Sequence, residues 1–246
     1  MKFLHLSDPH IHGDSENNDG VNQAMKNIKE NFPDHIRLWT GDLTDDGSEN
    51  QYKMIREILA VGEDIICPGN HDFGAAGNFY SRERAERFDL LCRDLKQPGT
   101  FAGECLPVVT MFHEERGDIM VICLDSNLET ESPFDFACGE VGEKQLRALP
   151  SLLNTPAFKI VMLHHHPFMH SDPFMELKDA EQLARVIYGK ADLLLFGHKH
   201  VMDHWEGRWG IPYILAADAL YNADFAREID IDVGNRHVVI QDVKIH

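Results

Sequence analysis

The sequence predicts an α/β protein built as two packed sheets flanked by helices, on three observations. The first third alternates apolar strand-like runs with amphipathic helical segments. The middle continues that alternation. From His200 onward only short β segments remain, which suits two packed sheets better than one open sheet.

The elements follow in order. "KFLHL" reads as a strand, and Val21, Ala24, Met25, Ile28 and Phe32 recur at helical spacing. "HIRLWT" is a second strand. Tyr52, Ile55, Ile58 and Leu59 mark a second amphipathic helix, and "DIIC" is a third strand. This βαβαβ pattern implies parallel strands joined by right-handed crossovers. A helix is expected near Ser81–Leu95, strands near Val108–Phe112 and Ile119–Leu124, and a helix over about Glu143–Leu153. "FKIVML" is a strand, "DAEQLARVIY" a helix and "DLLLF" a strand. The tail adds "PYILAA", "REIDIDV" and "HVVIQDVKI" as β segments. The 246 residues suit one large domain or two small ones, and with no repeat, linker or low-complexity stretch the chain reads as a single domain, 1–246.

Composition narrows the function. At 43% hydrophobic the chain can bury a substantial core. Acidic residues outnumber basic ones 41 to 23, a net charge of -18, and no basic run occurs. Duplex nucleic acid is therefore an unfavourable partner, because phosphate binding needs clustered Lys and Arg. The start "MKFLHLSDPH" lacks the pattern of a secretory signal, and no stretch approaches the roughly 20 apolar residues of a membrane span. Cys67, Cys92, Cys105, Cys123 and Cys138 have no paired spacing and read as small buried hydrophobes in a reducing compartment. A cytoplasmic location is the expectation.

The chemistry lies where the strands end. "KFLHL" runs into Ser7-Asp8-Pro9-His10, "RLWT" into Gly41-Asp42, and "DIIC" into Gly69-Asn70-His71-Asp72. "KIVML" runs into His164-His165-His166-Pro167 and "LLLF" into Gly197-His198-Lys199-His200. In α/β sheets, ligands bind beyond the carboxyl ends of strands. Any one of these groups alone is better explained as a cap, a turn or a surface residue; five together favour a metal site. Asp8 and His10, and likewise His198 and His200, are two apart, which on an extended segment points them the same way. Glycines 41, 69 and 197 allow close backbone approach. Carboxylate oxygen with imidazole nitrogen suits Mn, Fe, Zn or Co, and a thiolate zinc site is not indicated.

The order D-x-H, GD, GNHD, H-x-P and GHxH resembles the calcineurin-like metallophosphoesterases, and "HHHP" before "GHKH" is most similar to the bacterial branch of class III cyclic nucleotide phosphodiesterases. The motifs span residues 8 to 200. The resemblance implies a four-layer αββα sandwich, its two mixed sheets flanked by helices, with two divalent or trivalent metals at the strand C-terminal ends. Asp8, His10, Asp42 and His200 would hold the first ion. Asn70, His165 and His198 would hold the second, with Asp42 bridging both. His71 would protonate the leaving oxygen, oriented by Asp72, and Asn70, His71 and His166 would meet the substrate. Of the three adjacent histidines the family pattern favours His165, with His164 turned into the strand, since neighbours on a strand face opposite ways.

The implied function is hydrolysis of a small phosphodiester, such as a 3′,5′-cyclic nucleotide, by hydroxide activated between the metals. A phosphomonoesterase, or a nucleotide or lipid-headgroup hydrolase, on the same core is the alternative. A non-catalytic scaffold is disfavoured because every ligand position matches. His12 and His170, with Asn78 and Phe79, adjoin motifs and are weaker candidates for the pocket wall. His113 and His204 read as surface residues.

Overall fold

The computed structural model describes residues 1–74, 80–102, 106–128, 137–168, 172 and 174–246. Its first sheet contains β1 (Lys2–Leu6), β2 (Ile36–Trp39), β3 (Asp64–Ile66), β10 (Phe225–Asp232) and β11 (His237–Lys244), in the order β11-β10-β1-β2-β3. β1, β2 and β3 are parallel neighbours, while β10 runs antiparallel to β1 and β11 antiparallel to β10. The second sheet contains β4 (Val108–Glu114), β5 (Gly117–Cys123), β6 (Phe158–Met162), β7 (Leu193–Phe196), β8 (Asp203–Glu206) and β9 (Tyr213–Ala216), in the order β4-β5-β6-β7-β9-β8. Its central strands β5, β6, β7 and β9 are parallel; β4 and β8 are antiparallel edges.

Alternation along the central strands builds the layers. Val121 and Cys123 of β5, Ile160 and Met162 of β6, and Leu193 and Leu195 of β7 join the core that also holds Phe3, Leu38 and Ile66 of the first sheet. The intervening residues Ile122, Val161, Leu194 and Phe196 face a second core, against α4 (Glu143–Leu153) and α5 (Ala180–Ile187). That is the period-two division of a strand buried on both faces. The rings of Phe3 and Phe112 meet edge-on at 5.8 Å, joining β1 to β4 across the sheets. On the other flank, α1 (Asp19–Asn31), α2 (Glu49–Ile58) and α3 (Arg82–Asp94) bury Val21, Ala24, Met25, Ile28, Tyr52, Ile55, Ala85 and Phe88 in the first core. The result is the expected αββα sandwich.

The main difference from expectation is β8. "DHWE" lacks the apolar alternation of a strand and is mostly exposed, so tertiary pairing with β9 makes it a strand. Cys67, Cys92 and Cys123 are buried core residues, as their composition suggested. Among the described residues no helix is long and apolar enough to cross a membrane.

Candidate metal centre

Five strand ends converge between the two sheets. β1, β2 and β3 deliver Asp8, Asp42 and Asn70; β6 and β7 deliver His164 and His198. Backbone bonds lock the loops together. The amides of Asp8 and His10 donate to the carbonyls of Gly41 and Asp42 at 3.0 and 3.1 Å, and Gly197 N–H donates to His164 O at 3.0 Å.

The backbone bends sharply here. Among the described residues, eight non-glycine residues have positive φ, and they include Asp8, His10, Asp42, His198 and His200, with φ from 45° to 73°. The pairs Asp8/His10 and His198/His200 therefore do not sit on extended segments, as their spacing suggested. Each pair is brought together by two left-handed residues. Such conformations cost on the order of 1–3 kcal/mol each and persist where the surroundings enforce them. The loops also approach closely at glycine. A Cβ at Gly69 would lie 2.2 Å from Asp42 Oδ1, and one at Gly197 would lie 2.4 Å from Asp8 Oδ2 and 1.9 Å from Ser7 Oγ.

The donors fall into two sets. In the first, His10 Nε2 and His200 Nε2 are 3.2 Å apart, and Asp8 Oδ1 lies 3.3 Å from His200 Nε2 and 3.9 Å from His10 Nε2. In the second, His164 Nε2 lies 3.0 Å from His198 Nδ1, 3.2 Å from Asn70 Oδ1 and 3.1 Å from Asp42 Oδ2. The same Asp42 Oδ2 is 3.7 Å from His10 Nε2, so one oxygen faces both sets. Its partner oxygen Oδ1 accepts the backbone N–H of His71 at 2.8 Å.

These sets fit two cations. Asp8 Oδ1 is buried with no hydrogen-bond donor, an expensive arrangement unless a positive charge faces it. Imidazole nitrogens about 3 Å apart need a proton or an ion between them. Burial lowers the pKa of His10, and it brings that of His198 down to about 3, assisted by His164. Both rings then present lone pairs. Burial also disfavours a charged His164, but the carboxylates of Asp42 and Asp8 outweigh it and raise the group to about 9. Without an ion, a proton on His164 supplies the positive charge. His164 Nδ1–H donates to Thr40 O at 2.8 Å, which leaves Nε2 to face the donors.

The reading that favours His165 over His164 meets a different geometry. His165 is buried one position along, its Nδ1 bonded to Ser126 Oγ at 2.8 Å, and it lies outside every potential ligand group among the described residues. The "HHHP" segment leaves β6 before His164, so strand alternation does not choose between the two rings. His166 is also not where the sequence suggested. It packs among Phe168, Phe196 and Trp205, and its Nδ1 accepts the N–H of Phe168 at 3.2 Å. It belongs to an aromatic cluster behind the site.

His71 stands beside the first set, its ring edge-on to His10 at 4.5 Å. Asp72 does not orient it. The fully buried Asp72 carboxylate accepts from Leu43 N, Thr44 N, Thr44 Oγ1 and Gly69 N at 2.9–3.2 Å, tying the Asp42 loop to the Asn70 loop. Burial and neighbouring Asp42 push Asp72 up to about 7. The group that holds the His71 ring is Asp45, whose carbonyl accepts from Nδ1 at 2.6 Å. Asp45 also pairs with His12 at 3.5 Å, which brings His12 to the rim. His113 is exposed, paired with Asp118, and His204 is exposed on β8. His170, Asn78, Phe79 and Cys105 lie outside the described residues.

Sequence reasoning missed Thr40, Asp45, Ser126 and Tyr221. Asp45 had a signal, three positions after Asp42 in "GDLTDD". Thr40 acts through its backbone, and nothing local marks Ser126 or Tyr221.

An αββα sandwich with oxygen and nitrogen donors gathered at its strand ends is the layout of a metallophosphoesterase. The chain belongs to the calcineurin-like phosphoesterase family, whose model matches residues 1–202. It is 30% identical over 255 residues to a "Probable cyclic nucleotide phosphodiesterase" of Rhodococcus erythropolis, covering 95% of this chain and 74% of that one. It is 27% identical over 221 residues to a "Probable glycerophosphodiester phosphodiesterase" of Arcobacter nitrofigilis, covering 81% and 72%. A dimetal phosphatase from Danio rerio shares the fold, with a TM-score of 0.56 and 12% identity over 100% of this chain and 96% of that one. The chain is thus a phosphoric ester hydrolase of this family.

Proposed function

We propose that the chain is a dinuclear metal-dependent phosphodiesterase acting on a small diester, with a 3′,5′-cyclic nucleotide as the first candidate. The observation that carries this reading is the single oxygen Asp42 Oδ2, which faces His10 at 3.7 Å on one side and His164 at 3.1 Å on the other. One carboxylate shared by two donor sets is the requirement of a two-metal centre. The choice of diester over monoester is supported by the relatives, whose names specify a cyclic nucleotide and a glycerophosphodiester.

Asp8, His10, His200 and Asp42 would hold one ion, and Asp42, Asn70, His164 and His198 the other. Bound there, the ions would supply Lewis acidity, lowering the pKa of water and polarising the phosphoryl oxygens. Their charge would offset the net charge of -18 at the site where a phosphate ester must approach. The rest is the work of side chains. Asp42 Oδ1 accepts the His71 N–H, which orients the carboxylate with Oδ2 toward both donor sets. Asp72 fixes the two loops against each other. His71 has Nδ1–H tied to Asp45 O, which turns Nε2 away from that bond; as imidazolium the ring would give its Nε2 proton to the departing oxygen and keep the Nδ1 proton on Asp45 O.

The test is a hydrolysis panel with Mn²⁺ on bis(p-nitrophenyl) phosphate, p-nitrophenyl phosphate and the common cyclic nucleotides. The reading predicts higher kcat/KM on diesters. Preference for the monoester sinks it in favour of a phosphomonoesterase on the same core.

A further inference from the structure

Tyr221 lies on the turn between β9 and β10, at the mouth of the first donor set. Its hydroxyl oxygen is 3.3 Å from His200 Nδ1, and its ring stands edge-on to His200 at 5.9 Å and to His10 at 6.0 Å. The turn is anchored independently of that hydroxyl. Leu220 N–H donates to Ser7 O at 3.0 Å, next to Asp8, and the amides of Asn222 and Ala223 close the turn on Ala219 O.

His200 needs such a partner. Its side chain is 36% exposed, so packing alone does not hold the ring. Its Nε2 faces Asp8 Oδ1 at 3.3 Å and His10 Nε2 at 3.2 Å. An imidazole that offers the Nε2 lone pair carries its proton on Nδ1, and that proton needs an acceptor. In the second set the backbone carbonyl of Thr40 does this for His164 at 2.8 Å. In the first set the corresponding atom is Tyr221 Oη.

We infer that Tyr221 is a positioning residue of the first metal site: its hydroxyl oxygen accepts the Nδ1–H of His200 and holds the ring in the tautomer whose Nε2 faces Asp8 and His10. This rests on the two-metal reading above. It makes the two sites unequal in a way substitution reaches, since one outer acceptor is backbone and the other a side-chain hydroxyl.

The experiment is a Mn²⁺ titration of metal-stripped wild type and Tyr221→Phe, followed by calorimetry and by the electron paramagnetic resonance of bound Mn²⁺, with no substrate present. Tyr221→Phe keeps the ring and loses only the acceptor. The expected result is a loss of about 10–100-fold in affinity at one site, the usual effect of removing such an outer partner. The other site and the melting midpoint of the metal-stripped protein stay unchanged. Wild-type affinity at both sites in the variant overturns the inference. So does equal weakening of both sites with a lowered midpoint, which marks a structural role. Wild-type protein that takes up no ion overturns the two-metal reading itself, and this inference with it.

Discussion

His164 Nε2 lies 3.1 Å from Asp42 Oδ2, so a strand end of the second sheet meets the central carboxylate of the first. Thr40 O, from the same loop as Asp42, holds the other nitrogen of that ring at 2.8 Å. The inter-sheet seam and the candidate metal centre are therefore one structure, and the second donor set exists only when the two sheets are packed.

This geometry separates two adjacent histidines. His164→Ala should bind one ion where the wild type binds two. His165→Ala should still bind both, because His165 bonds Ser126 through Nδ1 and only packs its ring against His198 and His164, outside the potential ligand groups among the described residues. Elemental analysis of the two purified variants after metal loading decides it. Loss of an ion from His165→Ala with retention in His164→Ala would return the ligand role to His165.

Asp42→Ala should damage both sites, whereas His10→Ala should mainly weaken the first. Asp42 Oδ2 faces both donor sets, and His10 Nε2 belongs with Asp8 and His200. Metal titration of both variants is the check. Full binding by Asp42→Ala, or equal damage from the two, contradicts the bridging role.

His71→Ala should keep both metals and lose activity according to the leaving group. A general acid contributes about 10²–10⁴-fold, and it matters most when an alkoxide departs. Loss should be large on a cyclic or alkyl diester and mild on bis(p-nitrophenyl) phosphate, whose phenolate leaves unaided. Equal loss in kcat/KM on both substrates would mean that His71 positions the phosphate and donates no proton.

Far from the site, Glu228 on β10 predicts a pH dependence of stability. Burial raises its pKa, but hydrogen bonds from His35, Gln241 and Lys2 outweigh this and bring it to about 2, from a reference of 4.5. The folded pKa is depressed, so the contribution is present above pH ~4.5 and is lost as pH falls through ~2. At roughly 1.4 kcal/mol per unit its ceiling is about 3 kcal/mol. Glu228→Gln should therefore destabilise the protein at pH 7, and the gap from wild type should shrink by pH 3 in urea unfolding. A gap independent of pH would refute the assignment.

Most of the fold was legible because its signals are local. The apolar runs of β1 to β3 and β5 to β7, and the helical spacing of α1 and α2, appear in the sequence as they do in the structure. β8 was not, since its pairing with β9 is imposed from outside. The site was legible as residue types at strand ends, because Asp8, Asp42, Asn70, His198 and His200 each lie within four residues of the end of a strand. What could not be read was direction. Left-handed φ values at Asp8 and His10, the choice among His164, His165 and His166, and the turning of Asp72 toward Thr44 instead of His71 depend on how separate loops lock together. Tyr221 is reached only through the folding of a distant turn onto Ser7.

The central claim is that Asp42 joins two ions in one centre. Anomalous diffraction at the Mn edge on crystals of metal-replete protein tests it most directly. The account predicts two peaks per chain, roughly 3.5–4 Å apart, with Asp42 between them. A single peak under saturating Mn²⁺, or two peaks that Asp42 does not touch, would contradict it.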